Sequence, residues 1–307
     1  MASFSPTEAA FTGFRVVREH PKAVIGWAVL QFGFSLTTTL ALIGFAGPSV
    51  ARFQAEGFKA FSDPAAATAM LHQMLPAYGL IVPICLIIYP LFNAAMNRAV
   101  LRPQDDRFCY LRLGADELRQ LGLILLCMVL AFAAELALST VALAVSATLS
   151  AVLGSVAGGL GAMVILVAGL FGVVFVAVRL SLASALTFAT ERVDLFGAWA
   201  VTRGHTLPIL VTFFLALVTS AAAAVLGIVM IYAVIAAMSG GLGGLTAALS
   251  PSPSSIATFL TPPEMVFMVL MAGLNGLMLP LMLTPPAAIY QSLAIGGSQA
   301  LVKDVFA

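Results

Sequence analysis

A chain of 307 residues with 61% apolar side chains, 9% charged ones and a mean hydropathy of +1.08 carries too little polar surface for a water-soluble protein of this size. Its formal charge of +1 lacks the clustered excess of Lys and Arg that a nucleic-acid footprint needs, which excludes nucleic acid as a partner. Three cysteines, Cys85 and Cys127 inside apolar runs and Cys109 in a basic loop, supply neither a disulfide framework nor a zinc spacing.

A helix needs about 20 mostly apolar residues to cross about 30 Å of hydrocarbon, and six segments meet that test. Before the first, Ser5-Pro6-Thr7-Glu8 has capping-box spacing and is followed by Phe11, Phe14 and Val17 on one face, which predicts a short amphipathic helix in the interface. Span one covers 23–46; its run is too long for the apolar region of a secretory signal, so it is expected to stay in the mature protein. Val50, Phe53, Gly57, Phe58 and Phe61 then share a helical face before Asp63-Pro64 stops and restarts the chain, so this loop is expected to fold back on the outer surface. Span two covers 77–96 and contains Pro83 and Pro90. Span three covers 121–144 and span four 161–178, with the Gly-rich stretch 154–161 readable as loop or as helix entrance. A second short amphipathic segment, 194–205, has a capping acid, Phe196 and Trp199 three apart, then Arg203. Span five, 207–237, is long enough to tilt or protrude. Residues 239–263, rich in Gly, Ser and Pro, are expected to form no stable element, and span six, 265–284, contains Pro280 with Pro285 and Pro286 at its end. The expected fold is all-α: a single polytopic membrane domain, 1–307, of six transmembrane helices with no room for a soluble domain.

Twelve of the fourteen Lys and Arg fall on one side of these spans. They are Arg15, Arg18 and Lys22 before span one; Arg98, Arg102, Arg107, Arg112 and Arg119 between two and three; Arg179, Arg192 and Arg203 between four and five; and Lys303 after six. Only Arg52 and Lys59 lie opposite. Short loops rich in Lys and Arg stay cytoplasmic, so both termini are predicted inside, in a bacterium at the inner membrane.

The two amphipathic segments align without a gap at an offset of 185 residues: Phe11 with Phe196, Phe14 with Trp199, Val16 with Val201, Arg18 with Arg203, His20 with His205. This reads as an internal repeat, with convergence of two interfacial helices as the alternative. A weaker third copy at 113–119 keeps an Arg and the helical pattern without the aromatic pair. Three modules follow, each an elbow helix at the cytoplasmic leaflet and a two-helix hairpin. There aromatic rings sit at headgroup depth and Arg meets lipid phosphate.

The stretches Arg179-Leu180-Ser181-Leu182-Ala183 and Trp199-Ala200-Val201-Thr202-Arg203-Gly204-His205, with the elbow at 14–20 and Pro286-Ala287-Ala288-Ile289-Tyr290, resemble multi-pass bacterial proteins. These are the proteins related to the membrane domain of glycerophosphoryl diester phosphodiesterase. They commonly show Ser before the Trp, where this chain has Ala198. The resemblance implies a helical membrane module; the soluble domain that carries the chemistry has no counterpart here, so no catalysis transfers.

No G-x-x-x-x-G-K-[ST], H-E-x-x-H or G-x-S-x-G is present, and the glycine clusters at 158–159 and 240–244 lack a following Lys to reach a phosphate. Catalytic residues, metal ligands and cofactors are therefore all assigned as none. His20 and His205 read as interfacial residues at helix ends, and His72 has no evident partner. Glu135 is the one acid placed well inside a span. Burying a carboxylate there is costly, which makes it either a proton or cation site or a hydrogen-bonded strut between helices. Asn93, Asn97, Asn275, Ser139 and Thr140 are its candidate partners. Prolines in spans two and six read either as kinks or as the broken helices of a transporter site.

Two functional classes follow. One is a non-catalytic membrane module that associates with lipid, or serves as a platform for a protein partner, through Phe11, Phe14, Arg18, His20, Phe196, Trp199, Arg203 and His205. The other is a small proton- or cation-coupled transporter or channel using Glu135 and the Pro-broken helices.

Overall fold

Apolar runs of this length have one low-cost backbone in hydrocarbon, a helix that pairs each N–H with its own carbonyls. The computed structural model describes residues 4–57, 59 and 63–294, which contain helices and turns and no strand. In chain order the helices are α1 Pro6–Ala10, α2 Thr12–Glu19, α3 Pro21–Glu56, α4 Pro64–Leu101, α5 Ala115–Leu153, α6 Ser155–Leu180, α7 Ala183–Thr190, α8 Leu195–Val201, α9 Thr206–Met238, α10 Leu242–Ala248, α11 Ile256–Phe259 and α12 Pro262–Leu283. A bend at Thr284 leads to further helical turns over 285–294. Six helices, α3, α4, α5, α6, α9 and α12, are long and apolar enough to cross a membrane, at the six places the hydropathy marks. By length and composition this is a multi-pass membrane protein.

Local chemistry sets most boundaries. The Ser5 hydroxyl accepts from the Glu8 N–H at 3.3 Å, opening α1, but Phe11 leaves helical geometry and divides the expected single elbow into α1 and α2. The expected end of span one coincides with a kink in α3: Ala46 is non-helical two residues before Pro48, whose ring removes a hydrogen bond and crowds the preceding turn. Residues up to Glu56 continue α3 beyond the kink, so Val50 and Phe53 extend the span helix. Phe58 and Phe61 lie outside the described residues. Asp63 restarts the chain, accepting from the Ala65 N–H at 3.1 Å with Pro64 at the first helical position.

Some expectations are corrected. Pro76, Pro83 and Pro90 lie inside α4 without breaking it; each removes one backbone hydrogen bond, a loss a 38-residue apolar helix tolerates. Gly154, at φ 90°, makes the turn between α5 and α6, and the rest of the Gly-rich stretch is helix entrance. Residues 239–263 do form elements, α10 and α11, the latter opened by the Ser255 hydroxyl accepting from the Thr258 N–H at 3.2 Å. The third elbow, at 113–119, is not a separate helix. Glu117 caps the Gly114 N–H at 3.0 Å and nothing in the following sequence breaks α5, so this segment is simply its first turn.

Contacts divide the described residues into two compact units. The first takes those of Met1–Ala9, Leu113–Phe214 and Pro286–Ala307. Here α5 and α6 pair along their length, and Val178, Leu182, Ile209, Ala288 and Ile289 bury one apolar core with Ala9. A second core joins Leu123, Ala183, Leu186 and Ala198. Buried Gln120 bridges α5 to Ser184 of α7 reciprocally: its amide donates to the Ser184 carbonyl, and the Ser184 hydroxyl donates to its amide oxygen, both at 2.9 Å. The second unit takes the described residues of Ala10–Arg112 and Leu215–Pro285. There α3 packs on α4 and α12, and Ile231 and Ile235 of α9 meet Leu274 of α12.

Candidate functional site

In the second unit, α2 buries Thr12, Gly13 and Val16 and lies on α12. The approach is close: a Cβ on Gly13 would stand 2.5 Å from the Leu281 Cα, so only glycine fits. This contact fixes which face of α2 turns outward. That face carries Phe11, 44% exposed, and Phe14, 38% exposed, with ring centroids 5.7 Å apart. With exposed Arg15 and Arg18 they line a shallow cleft.

The aligned helix α8 belongs to the first unit. Asp194 caps it, accepting from the Gly197 N–H at 2.6 Å, and Ala198 is fully buried. Phe196 is 91% exposed and Trp199 38%, with exposed Arg203 in the turn that follows. The Thr202 hydroxyl donates to the Arg179 carbonyl at 3.1 Å, tying α8 to the end of α6. The Arg179 guanidinium lies 5.3 Å from the Phe175 ring centroid and 5.4 Å from that of Trp199. The two rings meet edge to face at 5.8 Å. Arg179 Nε and Nη1 are buried and have no hydrogen-bond partner among the described residues. The two aromatic faces are what the structure sets against these buried N–H groups. Phe175 and Arg179, one helical turn apart, are visible in the sequence as a pair; Trp199 joins them from another helix, which spacing does not reveal.

The two aligned segments share a plan, a short helix and a His-containing turn before a long helix, but differ in detail. Arg18 is helical, whereas Arg203 is not. The histidines also part company. The His20 ring stands edge-on to Tyr110 at 5.4 Å, with Nδ1 3.3 Å from the phenol oxygen, whereas His205 lies 6.5 Å from the Phe4 ring. His20 is thus packed against Tyr110.

The polar candidates within the spans fall into different units of the fold. Glu135 is exposed on α5, near the helix midpoint and among exposed Met128, Phe132 and Leu136. The hydroxyls of Ser139 and Thr140 turn back on the Glu135 and Leu136 carbonyls of their own helix. Asn93 donates to the Tyr89 carbonyl at 3.0 Å, Asn97 is buried and Asn275 half-buried, all three in the second unit, whereas Glu135 belongs to the first. Among the described residues no group of three His, Cys, Asp or Glu converges as a metal site would require.

Sequence reasoning passed over one more cluster. Between α4 and α5, Phe108, Cys109 and Tyr110 take left-handed backbone in succession, at φ 51°, 60° and 64°. Tyr110 and Arg98 are buried beneath them: Arg98 Nη1 donates to the Tyr110 carbonyl at 2.5 Å, and the Tyr110 hydroxyl donates to the Pro103 carbonyl at 2.9 Å. Fully buried Trp27 donates its indole N–H to the Cys109 carbonyl at 2.8 Å. Asp105 pairs with Arg112 and lies 4.0 Å from Arg98. In the sequence Arg98 and Arg112 are legible only as part of the basic run between spans two and three.

The chain matches no family model, no curated protein and no solved structure.

Proposed function

We propose that this protein is a non-catalytic membrane module whose two elbow helices, α2 and α8, bind the anionic headgroups of the cytoplasmic leaflet. The observation that carries this reading is the outward face of each elbow: an aromatic pair beside arginine, Phe11 and Phe14 with Arg18, and Phe196 and Trp199 with Arg203. Rings of this kind favour headgroup depth, and each basic residue near an anionic surface contributes about 1 kcal/mol. The positive-inside asymmetry supports putting both elbows at that leaflet. The resemblance to membrane domains of the phosphodiesterase-related proteins agrees with a module that lacks chemistry of its own, and it rests on its quoted motifs alone.

The transport reading rests on Glu135, and the engaged hydroxyls of Ser139 and Thr140 and the engaged amide of Asn93 leave it the weaker of the two. Native mass spectrometry of the full chain extracted in mild detergent tests the lipid reading. Wild type is expected to retain anionic phospholipid, and a Phe14→Ser, Arg18→Gln, Trp199→Ala, Arg203→Gln variant to lose most of it while still inserting. Equal lipid retention would sink the reading. A protein captured by wild type but not by the variant, with lipid unchanged, would replace it with the platform role.

A further inference from the structure

The loop between α4 and α5 has an exposed aromatic that no packing explains. Phe108 is 83% exposed, although the residues that follow it, Cys109 to Leu111, are tied down. Cys109 packs where a Cβ on Gly26 would be, 2.7 Å from its sulfur, and receives the Trp27 N–H on its carbonyl. Tyr110 is buried and holds the Pro103 carbonyl, while its own carbonyl takes the Arg98 guanidinium. The Leu111 N–H closes the turn on the Phe108 carbonyl at 3.0 Å. Three consecutive non-glycine residues in left-handed backbone persist only where the surroundings over-determine them. The result of that strain is specific: Cys109 and Tyr110 turn inward and Phe108 alone turns out.

Charge indicates what Phe108 meets. Residues 98–112 hold four arginines, Arg98, Arg102, Arg107 and Arg112, against two acids, Asp105 and Asp106. Arg112 and Arg98 hold Asp105, whereas Arg107, next to Phe108, is exposed. An aromatic ring beside a solvent-facing arginine fits an anionic lipid surface, with the ring at headgroup depth and the guanidinium on phosphate. We propose that Phe108 is a third membrane anchor, one that the strained 107–110 turn presents to the anionic cytoplasmic leaflet together with Arg107. This rests on the orientation taken for the elbows, but on none of their residues.

The test uses the full chain in nanodiscs. A Phe108→Trp variant adds one indole to buried Trp27 and to Trp199, and its emission is read as the difference from wild type. In anionic discs the added emission is expected to be blue-shifted and lost when the lipids carry bromine near the headgroup end of the acyl chain. Zwitterionic discs, or an added Arg107→Gln change, should restore it. Water-like emission untouched by bromine overturns the anchor. A Phe108→Gly variant gives an independent reading, because glycine relieves left-handed strain. Its unfolding temperature is expected to rise in zwitterionic discs, and the extra stabilisation that wild type gains from anionic lipid should vanish. If that gain persists, or if stability falls in both lipids, Phe108 is a packing residue and the proposal fails. Equal lipid retention by the elbow variant, with the Phe108→Trp emission quenched as expected, would overturn the elbow reading alone, so the two failures are distinguishable.

Discussion

Buried Arg98 and half-buried Arg179 show how differently one residue type can be used. Arg98 donates to the Tyr110 carbonyl and lies near Asp105, so its charge is compensated by hydrogen bonds. Arg179 has two ring faces and two buried N–H groups with no partner among the described residues. Removing a well-bonded cation strands its acceptors, whereas replacing a poorly bonded one by an apolar residue of similar size is often neutral. Arg98→Met is therefore expected to destabilise by about 2–3 kcal/mol. Arg179→Met should cost less than about 1 kcal/mol while shifting the emission of Trp199, and thermal unfolding with tryptophan fluorescence checks both. Left-handed backbone costs roughly 1–2 kcal/mol per residue, so the bonds around Phe108, Cys109 and Tyr110 hold a conformation the sequence resists. Nothing in the string Arg107-Phe108-Cys109-Tyr110 announces it, because no glycine or asparagine marks the turn.

Among elements, capping chemistry was legible and packing was not. Asp63-Pro64, Asp194 and Ser5 each act as their sequence positions suggest, since a cap needs only neighbours a few residues away. Helix α7 escaped notice because its anchoring bond, Gln120 to Ser184, joins residues 64 apart. Gln120→Ala leaves Ser184 without that partner and is expected to lower stability by about 1–3 kcal/mol, measured by thermal unfolding in detergent. The seat of α2 on α12 has a sharper test. Gly13→Val places side-chain atoms against the Leu281 backbone, and overpacking of this kind costs about 1–3 kcal/mol. Proteolysis within 4–20 should accelerate in that variant; unchanged protection would mean that α2 does not need this contact.

For the whole molecule, orientation is the first property to establish. With Cys85, Cys109 and Cys127 replaced, a single cysteine at Phe196 should react with an impermeant thiol reagent from the cytoplasmic side only, and one at Ser255 from the opposite side only. Reversal of both would invert the topology and remove the anionic leaflet from the elbows. Glu135 offers the second test. A carboxylate at the centre of a span carries a cost of about 2.5–3.5 kcal/mol on insertion scales. If it has no transport role, Glu135→Gln should insert at least as well as wild type, and proton and cation flux in proteoliposomes should be the same for variant, wild type and empty vesicles. A flux present in wild type and abolished by the substitution would favour the transport reading.

Hydropathy by itself determined the class, the number of helices long and apolar enough to cross a membrane and their approximate places, because the bilayer imposes one length and one backbone on any segment that enters it. Local caps and prolines added several helix boundaries for the same reason, since their effects act within a turn. Only the tertiary structure decided which faces are free. It turned His20 toward Tyr110, set Arg179 between Phe175 and Trp199, left Glu135 exposed on α5, and pushed Phe108 outward. Each depends on atoms distant in the chain meeting within a few ångströms, and in a sequence this uniformly apolar no periodicity distinguishes the face that packs from the face that does not.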